Sequence, residues 1–155
     1  MKILDTNLWV FGTLGTNSRA ERLLDEIERG ETISAINAYI LQEALNAFDR
    51  TPGLSPRERD DLKTVFLTRL SRMTGLVEAP TSEEVHDDLL TERRAAAHTR
   101  LLARVLDVEA KDIPVLLLAF DHEHQEPTLL TNDESFASFR PGDHGLTGIT
   151  VEYVE

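Results

Sequence analysis

Along the chain, short apolar runs alternate with longer stretches in which apolar positions recur every three or four residues. Residues 1 to 5 read as a short strand. From residue 18 to about 29 the pattern is helical, with Ala20, Leu23, Leu24 and Ile27 at helix spacing and Gly30 as a stop. Residues 32 to 36 (TISAI) predict a second strand. Asn37 then caps a helix carrying Ala38, Leu41, Leu45 and Phe48, which ends near Thr51-Pro52-Gly53. Ser55-Pro56 opens another helix, running to about Arg72, with Glu58 completing a capping box. A weak strand follows at 75 to 78. Thr81 or Ser82 caps a long polar helical stretch reaching about Leu106, with a break expected near Thr91. A further helix starts at Asp112 and carries Val115, Leu116, Leu118 and Ala119. Residues 128 to 131 and 149 to 154 read as the last strands. Strands alternate with helices throughout. The expected fold is therefore α/β, a mostly parallel sheet flanked by helices. With no internal repeat or linker, a single domain over 1–155 is expected.

Composition narrows this picture. A chain of 155 residues that is 41% hydrophobic can bury a sizeable core. The longest apolar run, residues 113 to 120, is too short to span a membrane, and the N-terminus has no signal-peptide pattern. There is no cysteine, which excludes disulfides, thiolate zinc sites and Cys nucleophiles. A cytoplasmic location without membrane attachment is the expectation. The net charge is -12, and only Lys2, Lys63 and Lys111 are lysines. That balance argues against a general basic surface for nucleic acid. Any such activity has to be carried locally, by metal ions or clustered arginines.

The acids are placed where chemistry is expected. In open parallel sheets, sites form beyond the carboxyl ends of the strands, near helix N-termini. Asp5 ends the first strand. Asp133 follows the TLLT strand by two residues, and Asp112 opens the helix after Lys111. Glu43 lies inside the second helix, flanking its apolar arc beside Ile40 and Ala47. Each has a plainer reading: a strand end, a turn, a helix N-cap, a boundary residue. Together they place three carboxylates at one sheet edge, with a fourth able to lean in. Such anions repel unless a cation lies among them, and oxygen donors suit Mg²⁺ or Mn²⁺.

The stretches ILDTNLW, ISAINAYILQEALNAF, KDIPVLLLAF and TLLTNDESF, in that order, resemble the PIN-domain ribonucleases. The similarity is greatest to VapC-type toxins of prokaryotic toxin–antitoxin pairs. The resemblance implies a Rossmann-like sheet and a Mg²⁺- or Mn²⁺-dependent endoribonuclease cutting RNA phosphodiesters. It implies Asp5, Glu43, Asp112 and Asp133 as catalytic metal ligands, with Asn7 and Thr131 orienting waters or carboxylates around them. It also implies an antitoxin whose tail wraps the site, and a homodimer. Two departures stand out. The segment FDHEHQEP (120–127) is longer than usual, and Pro114 occupies a position where the family carries another residue. Pro114 leaves the aim of Asp112 open, although proline is tolerated in a first helical turn. One alternative is a degenerate PIN-like module that binds without cutting. Another is a haloacid-dehalogenase-type phosphotransferase, against which stands Asn7 where a second acid belongs.

Other features are expected to be structural. His122 and His124 read as a surface loop, and Trp9 as a packing residue. Arg93 and Arg94, with Arg100 and Arg104, form the one basic stretch; pairing with Glu92 and Asp107 is expected in preference to phosphate contact.

Overall fold

The computed structural model describes residues 1–155. In chain order the elements are β1 (Lys2–Leu4), α1 (Thr6–Leu14), α2 (Ser18–Glu28), β2 (Ser34–Ala35), α3 (Ala38–Asp49), α4 (Pro56–Arg72) and β3 (Leu76–Glu78). There follow α5 (Leu89–Ala95), α6 (Ala97–Leu106), α7 (Ile113–Asp121), β4 (Thr128–Thr131), α8 (Glu134–Ala137) and β5 (Thr150–Tyr153). Every strand pairing is parallel. β4 lies between β1 and β5, with Leu4 opposite Leu130 and Thr131 opposite Tyr153. β2 pairs with β3, and the Lys2 N–H donates to the Ile33 carbonyl at 2.9 Å, tying the two small sheets together. Parallel strands put all their carboxyl ends on one edge, so Asp5 and Asp133 emerge side by side.

The alternation of apolar runs has a direct outcome in burial. Ile3, Leu4, Leu129 and Leu130 are buried and join one core of 29 residues, to which both ends of the chain contribute. The helices of that core also bury an aromatic cluster. The Phe66 ring on α4 meets Phe48 on α3 at 5.3 Å and Trp9 on α1 at 6.4 Å, both edge-on. Trp9 packs as the sequence predicts.

Beside the four-residue α8, which the sequence does not announce, two longer helical stretches depart from the expected pattern. The first is α1, which begins immediately after β1. It buries Thr6, Leu8, Trp9, Val10 and Gly12, so it has no polar face to betray a helical period. Gly12 is needed for a close approach: a Cβ there would lie 2.6 Å from Leu24 Cδ1 on α2. The second departure is the stretch expected as one helix from Thr81. Glu84 does reach back to the Thr81 N–H at 2.8 Å, but only a single 3-10 turn, Ser82–Glu84, follows. The helix resumes at Leu89 and breaks at Ala96, whose backbone is extended, rather than near Thr91. The break lets α5 bury Leu89 and Leu90 and α6 bury Thr99 on separate axes. No helix is long and apolar enough to cross a membrane.

Candidate metal centre

Asp5 stands at the carboxyl end of β1 and doubles as the N-cap of α1. Its Oδ1 accepts from the Thr6 N–H at 2.7 Å. Its Oδ2 accepts from Thr131 Oγ1, at the end of β4, at 2.8 Å. The parallel β1–β4 register makes this contact possible across 126 residues of sequence. Burial pushes the Asp5 carboxyl above its usual range; the Thr131 and Thr6 bonds pull against this, and the charge of Glu43 adds to it.

Asp133 caps α8, its Oδ1 accepting from Ser135 and Phe136 N–H at 2.9 and 3.2 Å. Its own N–H donates to Thr131 Oγ1 at 3.0 Å. One hydroxyl therefore locks two of the acids in place. Asp133 Oδ2 receives Lys111 Nζ at 3.2 Å. Partial burial works to raise its pKa, but the Phe136 N–H and Lys111 outweigh burial and hold the carboxyl below its usual range.

Asp112 differs. It precedes α7, yet no backbone N–H of that helix donates to its side chain, so the plain capping role is not the one it fills. Pro114 is accommodated in the first turn of α7, and the helix begins where the sequence predicts. Asp112 is only 5% exposed. Burial, then the charge of Asp5, pushes its carboxyl up to about 7, against the pull of Lys111. A buried carboxyl with no donor to stabilise its charge favours its neutral form unless a cation lies close, and Lys111 supplies only part of that charge.

Glu43 projects from α3 one turn after Tyr39. Its Oε2 accepts from Thr6 Oγ1, and its Oε1 accepts from Arg94 Nη2 at 2.8 Å. Arg94 also donates from Nε to the Tyr39 hydroxyl at 2.8 Å and lies over that ring. Burial, then the charge of Glu43, raises the Tyr39 hydroxyl to about 12, so it remains a neutral donor and acceptor. Asn7 turns elsewhere: its Nδ2 donates to Asn132 Oδ1 at 3.0 Å, joining α1 to the β4–α8 turn without touching a carboxylate.

The four acids thus belong to one neighbourhood, in which Asp5 feels Glu43 and Asp112 feels Asp5 and Asp133. In this arrangement no three acidic or histidine side chains stand together as a ready metal-holding group. Glu43 and Asp133 are each engaged by a cation of the chain itself. The donor set is all oxygen, as Mg²⁺ or Mn²⁺ requires, and Asp112 has no hydrogen-bond donor to its side chain, only the longer-range pull of Lys111. On chemistry, the residues fit such an ion.

Three polar neighbours of the acids escape a reading of the sequence. Arg94 pairs with Glu43, not with Glu92 or Asp107, from 51 residues away. Lys111 carried one signal, its place beside Asp112. Thr6 lies inside the ILDTNLW stretch, where nothing local marks its contact with Glu43. His122 is also corrected: its side chain is 14% exposed and sits 3.8 Å from Glu78, so it belongs to the packed end of α7, whereas His124 is exposed.

No protein-family model matches the chain, and no curated protein matches it. A solved structure does. The crystal structure of VapBC2 from Rickettsia felis bound to a DNA fragment from their promoter contains a chain with TM-score 0.53 to this one. The match covers 99% of this chain and 98% of that one, at 16% identity. The fold is PIN-like. At such low identity the likeness extends to the architecture, and the chemistry rests on the residues of the site.

Proposed function

We propose that this chain is a Mg²⁺- or Mn²⁺-dependent endoribonuclease of the VapC type, its single domain filling residues 1–155, and the toxin of a toxin–antitoxin pair. The observation that carries the reading is Asp112, buried beside Asp5 at the carboxyl edge of the sheet with no N–H donor to hold its charge. Asp5, Asp112, Asp133 and Glu43 would hold the metal. When bound, such an ion lowers the pKa of water and offsets charge on a phosphodiester. The rest of the work falls to the chain. Thr131 orients Asp5 and anchors the Asp133 backbone; Thr6 orients Glu43. A surface of net charge -12 repels RNA, so the substrate has to be admitted where cations neutralise it.

An acidic edge of this kind suits a basic antitoxin tail. The similarly folded chain comes from a VapBC2 assembly, which supports an antitoxin partner. A homodimer and a cytoplasmic location complete the reading. The non-catalytic alternative has one observation in its favour, the pairing of Glu43 and Asp133 with Arg94 and Lys111. The haloacid-dehalogenase alternative needs an acid two residues after Asp5, where Asn7 faces Asn132 instead.

The test is cleavage of total RNA with Mn²⁺, with and without EDTA, followed by mapping of the cut ends. Cleavage at defined sites is expected, abolished by EDTA and by Asp133→Ala in a folded protein. Full activity in that variant, or in EDTA, would refute the assignment.

A further inference from the structure

Two cations from different parts of the chain reach into the acidic edge. Lys111 Nζ lies 3.2 Å from Asp133 Oδ2 and 3.5 Å from Glu109. Arg94, from α5, lies 2.8 Å from Glu43 Oε1 and is steadied by Tyr39. Each engages an outer acid of the group, whereas Asp5 is held by hydroxyl and backbone donors and Asp112 by neither. The four site acids and these two cations sum to a formal charge of -2, and Glu109 beside Lys111 adds one more negative charge, so the edge stays anionic enough to attract a divalent ion.

We propose that Lys111 and Arg94 are internal counter-ions of the acidic edge, and that a divalent cation loads by taking Asp133 from Lys111 and Glu43 from Arg94. The proposal rests on the metal-site reading above and adds the regulation of that site. Both pairs are open enough to exchange. The side chains are 41% and 25% exposed in the Lys111–Asp133 pair, and 41% and 24% in the Arg94–Glu43 pair. Solvent-screened pairs of this kind are weak. A doubly charged ion among oxygen ligands gains more from each carboxylate than a singly charged, hydrated side chain does. The arrangement also keeps like charges from repelling before loading. The price is competition, so the affinity of the site for metal is set partly by residues that bind none.

Titration calorimetry with Mn²⁺ alone, on EDTA-stripped and dialysed protein, tests the competition. Lys111→Gln should tighten binding by about three- to tenfold, the scale of one partly exposed ion pair plus one removed like charge. Lys111→Arg, which keeps the charge, should retain the parental affinity. Arg94→Gln should act in the same direction as Lys111→Gln. Unchanged or weaker binding in both Gln variants would overturn the proposal. The unaltered sequence offers a second measurement that does not depend on a variant folding. The chain has only Lys2, Lys63 and Lys111, so reductive ¹³C-methylation places one lysine label at the site and two away from it. Saturation with Mg²⁺ should shift the Lys111 signal and leave the other two in place. Binding heat with a stationary Lys111 signal would defeat the counter-ion role alone. No binding heat in the parent would defeat the metal-site reading and this proposal with it.

Discussion

Thr131 Oγ1 donates to Asp5 Oδ2 at 2.8 Å while accepting from the Asp133 N–H at 3.0 Å, so one hydroxyl joins the ends of β1 and β4 to the start of α8. Both Thr131 and Asp5 are buried, and the bond opposes the upward pressure of burial on the Asp5 carboxyl. Thr131→Val keeps the shape and removes the hydroxyl. It should lower stability by about 1–3 kcal/mol, the cost of an unsatisfied buried acceptor. It should also weaken Mn²⁺ binding by about tenfold or more, as loss of a ligand-orienting partner does. Denaturant melts and calorimetry on the same preparations check both effects. Parental values for both would mean that the Thr131 bond is incidental.

Asp112 predicts a pH dependence with a defined sign. Its carboxyl is ordinarily half-ionised near 3.8 and in the fold is pushed up to about 7. The folded chain therefore binds this proton more tightly than the unfolded chain does. The stabilisation is fully present below 3.8 and is lost as pH rises through about 7. In EDTA, Asp112→Asn should be more stable than the parent at pH 8, by about 1–3 kcal/mol after allowance for local relaxation around the charge, and the difference should vanish near pH 4. Urea melts at the two pH values measure it. A gap of the same size at both would show that Asp112 is not destabilised by its charge.

Phe66 predicts the cost of opening the helical side of the core. It is fully buried and meets both Phe48 and Trp9 edge-on. Phe66→Ala should cost about 3–5 kcal/mol. The chain has a single tryptophan, Trp9, so its fluorescence follows the transition directly. A loss under about 1 kcal/mol would mean that the cluster repacks around the cavity.

The sequence made some of this structure legible and concealed the rest for identifiable reasons. Helices with one apolar face, such as α2 and α3, show their period in the spacing of Leu23, Leu24 and Ile27 or of Leu41 and Phe48. α1 does not, because Leu8, Trp9 and Val10 are buried in succession and a helix covered on most sides reads like an apolar strand. α8 has four residues, too few for a period to register. Near Thr81 the start signal was present, but a capping box specifies how a turn begins and carries no information on how far it runs. At the site, Asp5, Asp112 and Asp133 could be placed because strand ends and helix starts are local features. The Arg94–Glu43 and Lys111–Asp133 pairs could not, since each depends on where separate elements come to rest in the fold. The resting place of α5 in particular follows from the break at Ala96, which no turn residue announces.

The central claim is that the carboxyl edge of the sheet captures a divalent cation between Asp5 and Asp112. The most direct measurement is a crystal of the protein grown or soaked with Mn²⁺, with anomalous diffraction recorded near the manganese edge. The account predicts a strong anomalous peak in contact with the Asp5 and Asp112 carboxylates, lost in Asp112→Asn. A fully soaked crystal with no peak there, or with manganese held only at other surface acids, would contradict it.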